Sequence, residues 1–241
     1  MRILMINPNT SAGVTDILAA RVREIAGAGA TIVPVTGRFG APYIASRAAA
    51  VIAGHAALDA LAEHVADCHA VYLACFGDPG LAALKEVSPV PVVGMAEASC
   101  QAACSRGDRF AIVTGGALWG PMLEEFVIGL GLSDRLAAIR TVAPTGDEIA
   151  RDPDSALGHL AAACTACATE DGADVVILGG AGLAGLAVHI QASVPVPIIC
   201  SVEAGAHAVF AARHRVQCIK SPPIKDSIGL SPALAKLLGI A

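Results

Sequence analysis

One passage of this chain is written twice. Residues 71–98, VYLACFGDPGLAALKEVSPVPVVGMAEA, and residues 176–204, VILGGAGLAGLAVHIQASVPVPIICSVEA, follow one plan. Each leads from an apolar stretch into a Gly-rich turn, through a segment opening with Gly-Leu-Ala, to a Pro-Val-Pro strand and then Glu-Ala. Setting Gly77 on Gly182 and Gly80 on Gly185 places Cys75 opposite Gly180, and one inserted residue later Glu97 meets Glu203. A duplicated chain folds into two related halves that can face one ligand from two sides. Here one half carries a thiol at a strand end and the other only a hydrogen.

Strands and helices alternate along both halves. Short continuous apolar runs at residues 2–6, 31–34, 70–74, 90–93, 110–114, 138–142, 174–178 and 197–199 suit strands of a parallel sheet buried on both faces. Helical patterns fall at residues 12–26, 48–66, 98–106, 122–130, 157–171 and 204–213. Ser11 or Thr10 caps the first, and Pro121 fits the first turn of the fourth. The alternation predicts an α/β fold of two pseudo-symmetric, doubly wound, flavodoxin- or Rossmann-like lobes with the active site in the cleft between them. The expected lobes are residues 1–97 with 206–241, and residues 98–205, with hinges near Glu97 and Glu203.

Composition narrows the partner. More than half the chain is hydrophobic, much of it alanine, yet Gly, Pro or charge interrupts every apolar stretch before the ~18 residues that span a bilayer. The opening MRILMINPNTS enters a strand at once without the pattern of a signal peptide, so a cytoplasmic protein is expected. A net charge of −5 and 3% aromatic content give no basic footprint and few stacking platforms for nucleic acid. The expected partner is a small molecule.

Eight cysteines, at 68, 75, 100, 104, 164, 167, 200 and 218, read as reduced thiols in that setting. The pairs 100/104 and 164/167 lie in Ala-rich helical stretches, where such spacing marks one helix face, and no second close pair completes a zinc set. They read as buried packing, with no metal site expected.

Ligands of open parallel sheets bind at the C-terminal strand ends. Polar or glycine-rich turns gather there: Asn7 to Ser11, Cys75-Phe76-Gly77-Asp78, Thr114-Gly115-Gly116 and Gly179-Gly180-Ala181-Gly182. Cys75 is the best acid/base or nucleophile among the thiols, since turn N–H groups and a following helix N-terminus lower a thiol pKa. Asp78 either caps a helix or orients a ligand. Asn9, Thr10 and Thr114 sit at equivalent first-strand ends, where short polar side chains hold ligands or simply make turns. The glycines permit close backbone approach to a ligand oxygen without forming a nucleotide fingerprint. Phe39 and Tyr43, in GRFGAPYIAS, wall a pocket or anchor their loop. The candidate substrate-binding set is Asn9, Thr10, Phe39, Tyr43, Phe76, Gly77, Asp78, Thr114, Gly115, Ala181 and Gly182. The seven histidines form no HExxH and no Ser-His-Asp arrangement.

NPNTS, ACFGDPGL, PVVGMAEA and VILGGAGLAG together resemble the hydantoin racemase family, which includes allantoin racemases, within the aspartate/glutamate racemase superfamily. The resemblance implies a cofactor-independent isomerase, commonly a homo-oligomer, with two cysteines on opposite sides of the substrate α-carbon. One removes the proton as thiolate and the other delivers a proton to the opposite face. Backbone amides of the Gly turns are the natural donors to the resulting enolate. Cys75 matches the first cysteine. The family's Gly-Cys-Ala-Gly is Gly179-Gly180-Ala181-Gly182 here, so Gly180 marks a missing second acid/base, by natural divergence or by replacement. Ser201 stands where relatives often carry an acidic residue. The resemblance therefore implies racemisation of 5-substituted hydantoins or a related cyclic ureide such as allantoin, impaired at Gly180. A single-cysteine decarboxylase or isomerase of the same superfamily, and a non-catalytic binding protein, are the alternatives.

Overall fold

The computed structural model describes residues 1–143, 145–212 and 227–240. Cys218, His214, the end of the last predicted helix and much of the 206–241 tail lie outside them. In chain order the first half comprises β1 (Arg2–Asn7), α1 (Ala12–Ala26), β2 (Thr31–Thr36), α2 (Arg47–His64), β3 (Ala70–Leu73), α3 (Leu81–Val87) and β4 (Val92–Gly94). The second comprises α4 (Met95–Cys104), β5 (Phe110–Gly115), α5 (Trp119–Gly129), β6 (Leu136–Val142), α6 (Gly146–Arg151), α7 (Pro153–Thr169), β7 (Val175–Leu178), α8 (Ala187–Ile190) and β8 (Ile198–Cys200). Two further helices, α9 (Ser201–Ala211) and α10 (Pro232–Leu237), follow.

The strands form two four-stranded parallel sheets of identical order, β2-β1-β3-β4 and β6-β5-β7-β8. Every residue of β3, β5 and β7 is buried, which is what their unbroken apolar runs require. The edge strand β6 is half-buried and alternates less strictly. The duplication holds in the register of the central strand pairs, while β5 and β6 carry a shift at Phe110/Ala111 that β1 and β2 lack. Ile6 lies opposite Leu73, and Val113 opposite Leu178. Two residues beyond those pairs stand Cys75 and Gly180. One residue beyond Ile6 and Val113 stand Asn7 and Thr114, which are therefore counterparts.

Local caps fix several helix starts. The Ser11 and Ser46 side chains accept from Val14 and Ala49 N–H, and Thr145 forms a reciprocal capping box with Glu148. Helix α4 differs: it begins at Met95, three residues before the predicted start, and no side chain of its own turn caps it. Asp78, distant in sequence, does so instead, accepting from Ala96 N–H at 3.0 Å and Glu97 N–H at 2.7 Å. A cap supplied across a tertiary contact leaves no mark near the helix. The short helices α3, α6, α8 and α10 were not among the predicted elements, because periodicity over four to seven residues is too brief to register.

The two sheets are stitched by their last helices. Helix α4 leaves β4 and packs on β7 and β8, while α9 leaves β8 and packs on β3 and β4, and the two helices lie against each other. Glu97 and Glu203, expected at hinges, occupy the first turns of these helices and pair with Lys85 at 2.6 Å and Arg21 at 2.5 Å. Helix α10 rests on α2. No helix among the described residues is long and apolar enough to cross a membrane.

In this stitching Gly205 of α9 lies against the fully buried ring of Tyr72, whose hydroxyl donates to Val202 O at 3.1 Å. A Cβ at 205 would overlap the ring. Gly205→Ala is expected to lift α9 from the sheet and cost about 1–3 kcal/mol, a Tm decrease of roughly 2–12 °C by calorimetry.

Candidate active site

The C-terminal ends of the central strands of both sheets open onto one cavity. The first half contributes Asn7, Asn9, Val14, the Pro42-Tyr43-Ile44 stretch after β2, and Ala74-Cys75-Phe76 after β3. The second contributes Thr114, Gly115, Trp119, Gly146, Asp147 and the turn from Gly180 to Leu183. Of the predicted residues, Asn9, Tyr43, Cys75, Phe76, Thr114, Gly115, Gly180, Ala181 and Gly182 meet here. The others do not line the cavity. Thr10 is a turn residue whose N–H donates to Ala41 O at 3.2 Å. Phe39 packs edge-on against His55, ring centroids 5.0 Å apart, as a loop anchor. Gly77 backs onto the Trp119 ring, and Asp78 is committed to capping α4.

Several lining residues had no place in the predicted set. Asn7 sat within the quoted NPNTS turn, and strand register makes it the counterpart of Thr114. Trp119, the single tryptophan, was a detectable signal. Asp147 and Gly146 belong to a helix whose position at the cavity follows from tertiary packing alone.

Tyr43 spans the two halves. Its hydroxyl accepts from Trp119 Nε1 at 3.1 Å and donates to Gly115 O at 3.3 Å. Asn7 Nδ2 is equally occupied, donating to Asn9 Oδ1 at 2.8 Å, Ser11 O at 3.2 Å and Thr15 Oγ1 at 3.0 Å. Asn9 Oδ1 also takes the Ser11 N–H at 2.9 Å, which fixes the amide and leaves its Nδ2 donor without a partner among the described residues. The groups left for a ligand are therefore the Asn9 amide, the Cys75 thiol and the Thr114 hydroxyl. Among the described residues no Lys, Arg or His lines the cavity, and the one carboxylate that does, Asp147, pairs with Arg151.

Burial works against the expected activation of Cys75. Burial pushes its thiol up to about 12, and the neighbouring Asp78 charge adds to the shift. Within the turn, the Asp78 N–H is spent on the Cys75 carbonyl at 3.1 Å. Asp78 itself is pushed up to about 7 by burial, against the lowering effect of the Glu97 and Ala96 N–H groups. Burial likewise raises Cys100 and Cys164 to about 12 and Cys167 to about 11, as befits core thiols. Cys104 is half-buried. Among the described residues no three His, Cys, Asp or Glu side chains gather as a metal set.

At the equivalent strand end of the second sheet, Gly180 adopts φ 133° and ψ 147°, a region that essentially only glycine occupies. Its N–H donates to Oγ of the fully buried Ser201 at 3.1 Å. Gly180 and Ser201, where the resemblance implies a cysteine and often an acidic residue, thus touch each other. A Cβ built at 180 would lie 3.1 Å from Leu183 Cδ1 and 3.7 Å from Thr114 Oγ1.

A sequence model of the Asp/Glu/hydantoin racemase family matches residues 3–209. The hydantoin racemase of Paenarthrobacter aurescens is 34% identical over 206 residues, covering 85% of this chain and 87% of that one. The crystal structure of allantoin racemase from Pseudomonas fluorescens superposes with a TM-score of 0.88 at 29% identity, covering 95% of this chain and all of the other. Allantoin racemase from Klebsiella pneumoniae gives 0.86 at 29% identity, covering 97% and 98%. The predicted α/β fold of two parallel sheets is that of these racemases.

Proposed function

The chain belongs to the Asp/Glu/hydantoin racemase family, and we propose that it binds a neutral cyclic ureide of the hydantoin type and exchanges its α-proton from one face through Cys75. The carrying observation is one cavity with a thiol at one strand end, a bare α-carbon at its counterpart and, among the described residues, no cationic side chain in its wall. A free amino acid or a malonate would bring a carboxylate into a site where, among the described residues, no cationic side chain lines the wall to receive it. A hydantoin ring brings none. This favours the ureide over the decarboxylase alternative.

The chemistry follows from the groups present. The Cys75 thiolate removes the α-proton, and the electron pair of the C–H bond moves into the adjacent ring carbonyl as an enolate. The Asn9 amide is the side-chain donor placed to hold a ring oxygen as charge develops, an interaction worth most where water is excluded. The thiol then returns a proton to the same face. Inversion needs a donor on the other face, and Gly180 has none, so racemisation is expected to lag far behind exchange.

A thiol raised to about 12 is scarcely ionised at neutral pH, but its thiolate is a strong base once formed. Below that value the thiolate fraction grows about tenfold per pH unit. The kcat/KM for exchange is therefore expected to climb without plateau between about pH 7 and 9. Asp78, ionising near 7 behind the thiol, flattens only the start of the rise. The test is α-deuterium incorporation by NMR into each enantiomer of a 5-substituted hydantoin in D2O, with the enzyme-free rate subtracted. Fast exchange of one enantiomer with slow loss of optical rotation supports the reading. Carbon dioxide release from a disubstituted malonate, with no exchange of any hydantoin, overturns it.

A further inference from the structure

Among the described residues, the Thr114 hydroxyl is the polar side-chain group on the Gly180 side of the cavity that has no hydrogen-bond or ion-pair partner, Asp147 being paired with Arg151. Thr114 is 4% exposed, ends β5, and has no hydrogen-bond partner among the described residues. No fully enclosed side-chain oxygen or nitrogen is left unpaired among them, so this hydroxyl opens on the cavity and is not sealed in the core. By strand register it stands to position 180 as Asn7 stands to Cys75. Yet Asn7 is consumed by three hydrogen bonds, and Thr114 makes none. The space a side chain at 180 would enter begins 3.7 Å from Thr114 Oγ1, so the hydroxyl borders the volume that glycine leaves open.

We infer that Thr114 positions a water molecule on the Gly180 face, and that this water protonates the substrate from the side opposite Cys75. The inference rests on the exchange reading above and changes the expected part of Thr114 from holding the substrate to holding its second proton source. A hydroxyl suits this task because it both donates and accepts and so orients a water without competing for its proton. The step balances. Cys75 thiolate takes the α-proton as the C–H pair becomes the enolate. The enolate carbon then takes a proton from the water as that O–H bond breaks and hydroxide is left. The Cys75 thiol proton neutralises the hydroxide through solvent, restoring thiolate and water. In the reverse direction hydroxide at the same position removes the proton of the other enantiomer, so both directions share one path.

Water replaces a thiol as the acid, and a well-placed acid or base contributes about 10²–10⁴-fold. Roughly one inversion per hundred to ten thousand exchanges is expected. The experiment measures, in one D2O incubation, the rate of α-deuterium incorporation and the rate of appearance of the opposite enantiomer by chiral chromatography. Their ratio is read within each variant, so any loss of folding or binding that slows both rates cancels. Thr114→Val is expected to lower the ratio at least tenfold, and Thr114→Ser to keep it within about threefold of the original. An unchanged ratio in Thr114→Val, or exchange with no inversion above the enzyme-free rate in the original chain, overturns this inference and leaves the part of Cys75 standing. No exchange at all in the original chain overturns both.

Discussion

Cys75→Ser is expected to lower α-deuterium incorporation by about a thousandfold, measured by NMR on the enantiomer that the original chain exchanges. General-base removal of a carbon-bound proton depends on the pKa of the base. A serine hydroxyl in the same apolar setting is far less acidic than even a thiol raised to about 12. The substitution exchanges one atom among Phe76, Ile44 and Trp119, so it leaves the cavity wall and the neighbouring Asp78 cap in place. Ligand binding, followed by calorimetric titration, is therefore expected to persist within about threefold. Exchange surviving at more than a tenth of its original rate would remove Cys75 from the mechanism.

Gly180→Cys is expected to raise racemisation about a hundredfold and to lower stability by about 1–3 kcal/mol. The gain follows from supplying a thiol where the duplicated strand presents one on the other side. The cost follows from the backbone: φ 133° with ψ 147° is nearly closed to any residue with a Cβ. Space is the lesser obstacle. The 3.1 Å approach to Leu183 Cδ1 involves the end of a flexible side chain, and the 3.7 Å approach to Thr114 Oγ1 is ordinary contact. Relaxing the 180 peptide strains the Gly180 N–H bond to Ser201, so the cost is expected to shrink when Ser201 is changed to alanine in the same chain. Polarimetry gives the first quantity and thermal unfolding the second. A folded Gly180→Cys protein that exchanges but gains no inversion would refute the facing arrangement of positions 75 and 180.

Much of the architecture was legible before any coordinates. The doubled passage and the unbroken apolar runs determine two parallel sheets, and the buried faces of β3, β5 and β7 answer directly to those runs. The duplication also identifies Cys75 and Gly180 as equivalent strand ends, because two repeats of one plan place corresponding residues alike. Helix starts were legible where the cap is local, as at Ser11, and not where it arrives from afar, as at α4.

The site was legible in part, for a similar reason. Residues in the turns directly after the central strands reach the cavity because strand direction carries them there, and Cys75, Thr114 and Gly180 are of this kind. Phe39 and Tyr43 come from one loop of similar composition, yet Tyr43 reaches across to Trp119 and Gly115 while Phe39 turns back onto His55. The loop's sequence does not say which of the two will cross.

The amino-acid sequence by itself determined the duplication, the strand direction and hence which turns share a cleft, since hydrophobic period and repeat order act over a few residues at a time. Only the tertiary structure decided the state of the groups in that cleft. A thiol's ionisation depends on every charge and dipole packed around it, and burial beside Asp78 raises that of Cys75 where the turn alone suggests the reverse. The free hydroxyl of Thr114 and the glycine-only backbone at 180 are likewise properties of how the two halves close on each other, fixed by contacts between residues far apart in the chain.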